Sequence, residues 1–514
     1  MNKRIIINLI TSLTSFTVST GINFLLTPYI TDSVGGTAAY GFVGLANNMI
    51  GYISIITLAL TSMSGRYITI SIYEKNNEKS NTYFNSVLYA SIVLGVLVLI
   101  ISGGLIINLD QILSIPDEIY SDVQWLFIVL ILNFIVSLCC TAFSVTTFSM
   151  NRLDLSALRT MESNILRAAI LIVLFLFLSP SIIYLGIATL VAGIYINIFN
   201  IYYTKKLLPQ IKFKRQYFSL QATIEIIKSG LWNVFNRLSS IFSTGLDLLI
   251  TNLFVGSNQM GILSISKSLP TMILSLFAMI ANVFAPQITA NYATGNNNKL
   301  KSTILTAMKL LGMISCIPMT VLIVYGKEFY HLWLPNENAT LLHILSLLAC
   351  IEYIFVLPLE PLWNLFTAAG KIKVPAIYMF INSILSISTV FLLLTIVEDT
   401  FLKLLIIAGI SMVFSIIRAL IFLPLYGAYC MNVKWYTFYN QILKNTISVV
   451  LMVTISLVGK IFIDVNSWVV LILVTTIITI ISLVINYYFI LEKKDREVII
   501  QVLYTRVGKL NFIG

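Results

Sequence analysis

Asn233, Arg237, Ser240, Thr244, Asp247 and Thr251 recur every three or four residues within an otherwise apolar stretch. That period places them on one face of a helix, and Asn236 and Ser243 widen it. Such a face offers hydrogen bonds to hydroxyl-rich ligands, a guanidinium to an anion and a carboxylate to a cation or proton. Asn8, Ser12, Ser15, Ser19, Asn23 and Thr27 form a matching series near the N-terminus, and Ser264, Lys267, Ser268, Thr271, Ser275 and Asn282 form a third. Asn47 and Asn48 add to them. Either of two readings fits one such series: polar residues that join helices, or the wall of a hydrated cavity. Three series, matched between the two halves of the chain, favour the cavity.

Charged residues inside the apolar runs sharpen this. A charge at mid-bilayer costs about 2.5–3.5 kcal/mol on insertion scales, so such groups face protein or water. Arg237, Asp247 and Lys267 lie on the polar faces, whereas Arg167, Arg418, Glu352 and Glu360 lie within other runs. Asp247 is either a structural partner of Arg237 and Lys267 or a site in its own right. Arg167, Arg418 and Lys309 are expected within about two turns of a cytoplasmic helix end, close enough to snorkel to the interface.

The elements that position these residues follow from composition. Of 514 residues 58% are hydrophobic and 10% charged, against about 25% charged in soluble domains. Apolar runs of about twenty residues, each enough to span the hydrocarbon core as a helix, recur along the chain. The expected fold is an all-α integral membrane protein with about fourteen spans. They lie near 5–31, 37–63, 83–108, 123–148, 160–179, 181–203, 230–255, 262–289, 302–325, 341–367, 374–396, 404–426, 443–463 and 466–490. Lys3-Arg4 followed by an apolar run resembles a secretory signal, but the run is too long and reads as a retained helix.

Charge placement checks the count. With the N-terminus inside, 23 of the 32 Lys and Arg fall in cytoplasmic segments and three, Lys327, Lys403 and Lys460, in outer loops. That asymmetry obeys the positive-inside rule, puts both termini in the cytoplasm and accounts for the +11 net charge without a nucleic-acid partner. All six tryptophans lie in loops or near expected helix ends, where interfacial belts form. The basic connection near 204–229 divides the chain after six spans, and its segment from Thr223 to Lys228 reads as an amphipathic interfacial stretch. The tail from Glu492, with Val498, Ile499, Val502 and Leu503 among charges, reads likewise.

The two blocks echo each other. Asn23-Phe-Leu-Leu-Thr27 followed by Tyr40-Gly41 answers Asp247-Leu-Leu-Ile-Thr251 followed by Met260-Gly261. The expected division is 1–220 (helices 1–6), 221–430 (helices 7–12) and 431–514 (helices 13–14 and a tail), with the two six-helix lobes related by a pseudo-two-fold axis. Other chemistries are excluded. The chain has no Gly-x-x-x-x-Gly-Lys-[Ser/Thr] loop for ATP, and His331 and His343 lack metal-ligand spacing. The five cysteines read as small apolar residues. No enzymatic function, metal or cofactor is expected.

The layout resembles the polysaccharide-biosynthesis flippases of the MOP exporter superfamily, relatives of the MATE transporters and lipid II flippases. The carrying features are the six, six and two spans, Asn23-Phe-Leu-Leu-Thr-Pro-Tyr-Ile with Tyr40-Gly41 after it, Arg66 after the second span, and the paired polar faces. The resemblance implies a bacterial plasma-membrane transporter with a central cavity lined by helices 1, 2, 7 and 8. Its substrate is an oligosaccharide on a polyprenyl pyrophosphate, moved to the outer leaflet by alternating access. Membrane lipid and polysaccharide-assembly proteins are the other implied partners. A pyrophosphate needs Arg or Lys donors, so Arg237, Lys267 and Arg66 are the expected head-group ligands. Asn23, Asn48, Asn233 and Thr244 suit sugar and cavity contacts. Asp247, Glu352 and Glu360, carboxylates inside spans, are candidates for ion coupling. The alternatives are a MATE-type multidrug cation antiporter, which needs more acid in its cavity, and a membrane glycan polymerase, which the short outer loops disfavour.

Overall fold

Lipid offers the backbone no hydrogen bonds, so a chain this apolar must satisfy its peptide groups within helices. The computed structural model describes residues 3–33, 36–150, 152–492 and 496, with the backbone alone at 3–10, 12, 13, 33, 153, 286 and 293. Among the described residues every regular element is helical. Each expected span falls on a helical stretch, and several of these stretches are interrupted into two or three helices. Among the described residues twelve helical stretches are long and apolar enough to cross a membrane. Two further runs complete the fourteen: the 31-residue N-terminal helix and the polar run from Leu220 to Phe254. The chain is a multi-pass membrane protein.

Packing divides it into two compact units. The first comprises Met1–Ile265 with Met379–Ile384. Among its helices are α1 (Lys3–Ser33), α2 (Gly36–Ile53), α3 (Ile55–Tyr73), α4 (Asn77–Ile107), α5 (Tyr120–Cys139), α6 (Leu153–Phe177), α7 (Ile183–Leu207), α8 (Leu220–Ser240), α9 (Asp247–Phe254) and α10 (Ser257–Ser266). Here α1 packs along α6, α5 along α7 and α8 along α3. This division by packing differs from the division by repeat expected at 220 and 430, because α8 and α9 pack within the first unit.

The second unit comprises Ser266–Tyr378 and Leu385–Gly514. Among its helices are α11 (Ser268–Asn282), α12 (Asn297–Trp333), α13 (Ala339–Cys350), α14 (Tyr353–Leu359), α15 (Pro361–Ala368), α16 (Lys373–Leu394, of which 379–384 group with the first unit), α17 (Thr400–Ile417), α18 (Leu423–Met431), α19 (Tyr439–Lys460) and α20 (Trp468–Phe489). The 37-residue α12 is the most buried long helix and carries both members of the terminal pair, α19 and α20. A polar seam fixes that docking. Asn445 donates to the Met308 carbonyl at 3.3 Å, its amide sits where Gly312 has no side chain, and Ser448 donates to Asn486. At the other end of α19, Lys460 pairs with Glu328 at 2.7 Å.

Several expectations are sharpened or corrected. The stretch from Thr223 to Lys228 opens α8 and is two-faced, with Thr223 and Ile226 buried and Ile224, Glu225 and Lys228 exposed. The basic connection before it is pinned to α4. Asn81 donates to the Gln210 carbonyl and accepts from the Lys212 amide, while Asn85 does the same with Lys212 and Lys214. Arg66 lies within α3 rather than beyond it. Trp333 is buried among Phe329 and Tyr330 rather than facing head groups. The tail residues Val498, Ile499, Val502 and Leu503 lie outside the described residues.

Candidate functional site

The polar face of the seventh span does not run straight. Residues Ile241–Gly245 form a π-turn, closed by the Leu246 amide donating to the Ile241 carbonyl. A π-turn inserts one residue into the helical count and rotates the residues beyond it by roughly 100°. Arg237, Ser240 and Thr244, before or within it, are exposed. Asp247 and Thr251, after it, are 5% and 0% exposed. The single face expected from the spacing is therefore split into an accessible part and a part turned into the first unit.

The π-turn also has a ligand-like role inside the protein. Its last carbonyl, Gly245, accepts from Asn48 Nδ2 at 3.2 Å and from the Tyr52 hydroxyl. Tyr52 stands within electrostatic reach of both Asp247 and Arg237. Asn48, expected to touch sugar, is half-buried and spends one donor on this carbonyl.

One small-residue face of α2 makes these approaches possible. Gly41, Gly44, Asn48 and Gly51 follow at intervals of three and four, so they line one side of the helix. A Cβ on Gly41 would stand 2.7 Å from the Gly261 Cα, one on Gly44 would strike Ser264, and one on Gly51 would stand 2.7 Å from Nη2 of Arg237. Thr37 donates to Asn258 Oδ1 at 2.7 Å at the same end as Gly41 and Gly261. Small residues permit such close helix contact in a membrane.

Arg237 itself is exposed. Among the described residues no hydrogen bond or ion pair engages its guanidinium, which leaves its donors available. Asn233, one turn earlier, is half-buried, and Thr244 is exposed and donates to the Ser240 carbonyl at 3.5 Å. Arg66 is exposed on α3. Asn23 is exposed on α1 and accepts from Nη2 of Arg167 on α6.

The remaining candidates belong to the second unit. Lys267 stands at the break between α10 and α11. Glu352 and Glu360 occupy the two breaks that bound α14. Arg418 opens a second π-turn, Arg418–Phe422, and acts electrostatically on Glu360. Tyr353, buried, senses Glu352, Glu360 and Arg418 together. These are interrupted helix segments, where backbone carbonyls and ionisable side chains come within reach of a cation. No group of three or more His, Cys, Asp or Glu able to hold a metal occurs among the described residues.

The structure gives side-chain partners to the three cations that the sequence places within reach of the interface. Arg167 follows Leu153, the start of α6, by fourteen residues, roughly 21 Å at the helical rise. Lys309 is buried and pairs with Glu492 at 3.0 Å. Arg418 bonds Ser415 at 2.6 Å. The helices extend beyond their apolar runs, and each of the three cations meets a side-chain partner. Arg167 and Lys309 find partners far away in sequence, which is why spacing did not reveal them.

Fold and site together define a polytopic transporter with polar, charged faces on interrupted helices. The chain matches the family described as "Polysaccharide biosynthesis protein" over residues 6–292 and belongs to that family, within the MOP superfamily. The MatE family matches over residues 234–392. An uncharacterized membrane protein of Bacillus subtilis (strain 168), EpsK, is 26% identical over 506 residues, covering 98% of this chain and 99% of that protein. Among solved structures, the lipid II flippase MurJ in an inward closed conformation aligns with a TM-score of 0.70 and 15% identity, over 94% of this chain and 99% of that one. An inward-facing multidrug resistance MATE transporter aligns with a TM-score of 0.61 and 17% identity, over 83% and 98%. These likenesses show the fold.

Proposed function

We propose that this protein carries a polyprenyl-pyrophosphate-linked oligosaccharide from the inner to the outer leaflet of the bacterial plasma membrane by alternating access, for cell-surface polysaccharide assembly. The observation that carries this reading is the Arg237 guanidinium, exposed and unengaged on a polar helix of a chain in the polysaccharide biosynthesis family. A guanidinium in that setting suits a doubly charged diphosphate better than a cation. Arg237, with Lys267 and Arg66, holds the head group in this reading. Asn23, Asn48, Asn233 and Thr244 contact sugar, and Asp247, Glu352 and Glu360 couple transport to an ion. Both termini lie in the cytoplasm. The experiment is deletion of the protein, followed by assay of carrier-linked oligosaccharide on each leaflet. The reading requires accumulation on the cytoplasmic leaflet, and normal arrival at the outer face refutes it.

The match to the MatE family over residues 234–392 favours a second reading, a multidrug cation antiporter. Asp247 would then hold the cation. Efflux of a fluorescent organic cation from cells or proteoliposomes, abolished by Asp247→Asn, separates this reading from the first.

A further inference from the structure

Arg167 and Asn23 belong to α6 and α1, which pack along each other. Arg167 donates from Nη2 to Asn23 Oδ1. Arginine has donors and no acceptor, so the amide oxygen must be the atom it meets, and the orientation of Asn23 is thereby set. The outward end of the amide is then its Nδ2 donor group, on a residue that is exposed. Arg167 Nε is buried with no hydrogen-bond partner. The two acids of α6 are engaged elsewhere: Asp154 with Arg152 at 3.0 Å and Glu162 with Arg159 at 2.5 Å. Among the described residues no carboxylate pairs with Arg167.

The pair therefore carries a full positive charge that a guanidinium cannot discharge. It stands deep along α6 and offers donors. A sugar hydroxyl both donates and accepts, so a donor-only site is half-matched to it. A phosphate oxyanion only accepts and carries the opposite charge, so it matches a site of donors.

We infer that Arg167 and Asn23 form an anion-binding pair that takes one phosphate of a phosphate-bearing head group. The anion chemistry stands on the pair itself; the choice of a polyprenyl pyrophosphate as the head group rests on the proposed flippase function. In this role Asn23 orients Arg167 and adds a donor.

The test uses the full-length protein in phosphatidylcholine nanodiscs. Binding of undecaprenyl pyrophosphate, undecaprenol and inorganic pyrophosphate is measured, with a fourth arm in which phosphatidylglycerol replaces part of the lipid and its retention is counted by native mass spectrometry. The variants are Arg167→Gln, which can still donate to Asn23 but has no charge, and Asn23→Asp, which is isosteric and neutralises Arg167 while strengthening the link between α1 and α6. Both are expected to weaken undecaprenyl pyrophosphate binding at least about tenfold, the size of one charge-assisted contact, with undecaprenol binding unchanged. Thermal unfolding is recorded in parallel, and Asn23→Asp decides the matter if Arg167→Gln fails to fold. If both variants bind the pyrophosphate carrier as wild type does, the pair is only a clamp between helices and the inference falls while the carrier reading stands. If wild type ignores the carrier but holds inorganic pyrophosphate or phosphatidylglycerol, and the variants lose them, the anion pair stands and the carrier reading falls. Wild type binding none of the phosphate probes overturns the inference.

Discussion

Gly41 of α2 and Gly261 of α10 lie face to face, so close that a methyl group on Gly41 would stand 2.7 Å from the Gly261 Cα. A methyl on Gly261 would in turn run into the Thr37 carbonyl. The two Tyr/Met-Gly motifs that echo one another in sequence thus pack on each other, and the Thr37–Asn258 hydrogen bond closes the same end.

This contact tolerates no side chain, because the neighbouring atoms are backbone and cannot swing away. Gly261→Ala is expected to destabilise the protein by about 1–3 kcal/mol, the usual cost of overpacking. Thermal unfolding in detergent measures it. A variant as stable as wild type would mean that α2 and α10 part easily.

Gly51 offers a contrast, since what a methyl group meets there is the tip of Arg237. A long side chain can move aside, so Gly51→Ala should fold normally. It should nevertheless lower translocation by displacing Arg237, and Arg237→Ala should lower it by about tenfold or more, the value of a charged hydrogen bond. Arg237→Lys should retain part. Outer-leaflet oligosaccharide in complemented deletion cells reads this out, and full activity in Arg237→Ala removes Arg237 from the head-group site.

Lys309 is buried whereas its partner Glu492 is mostly exposed. Removing the carboxylate leaves a buried ammonium with less compensation, so Glu492→Gln should destabilise by about 1–2 kcal/mol, discounted for the exposure of Glu492. Removing both charges, Lys309→Met with Glu492→Gln, should recover much of that loss. Chemical or thermal unfolding of the three forms tests the order, and a double variant weaker than Glu492→Gln contradicts it.

Asn81 and Asn85 each bridge the basic connection with one donated and one accepted backbone hydrogen bond. Truncation of either to Ala removes two bonds of about 1 kcal/mol each. The backbone near Lys212, Lys214 and Arg215 should then open to trypsin several-fold faster, with cleavage from the cytoplasmic side of oriented vesicles. Unchanged cleavage would mean that the connection is held by its buried Leu208 and Ile211 instead.

The all-helical membrane architecture and the approximate positions of the helical stretches were legible in the sequence. So were the polar residues of the seventh span and the Gly41 and Gly261 motifs. Each of these depends on local periodicity and on the rule that a chain in lipid must satisfy its own backbone. The sequence also marked Arg237 as a cation on a polar face, and the structure leaves it exposed.

What tertiary structure decided is where those side chains point and whom they meet. The π-turn at Ile241–Gly245 turns Asp247 inward while Arg237 stays accessible, and one extra residue in a helical ring leaves no mark in a hydropathy pattern. Arg167 finds Asn23 at a separation of 144 residues, and Lys309 finds Glu492 at 183. By spacing alone, both cations looked able to reach the interface. Spacing reports the neighbours within one helix; a charge in a membrane is settled by a partner on another, and only packing brings that partner near.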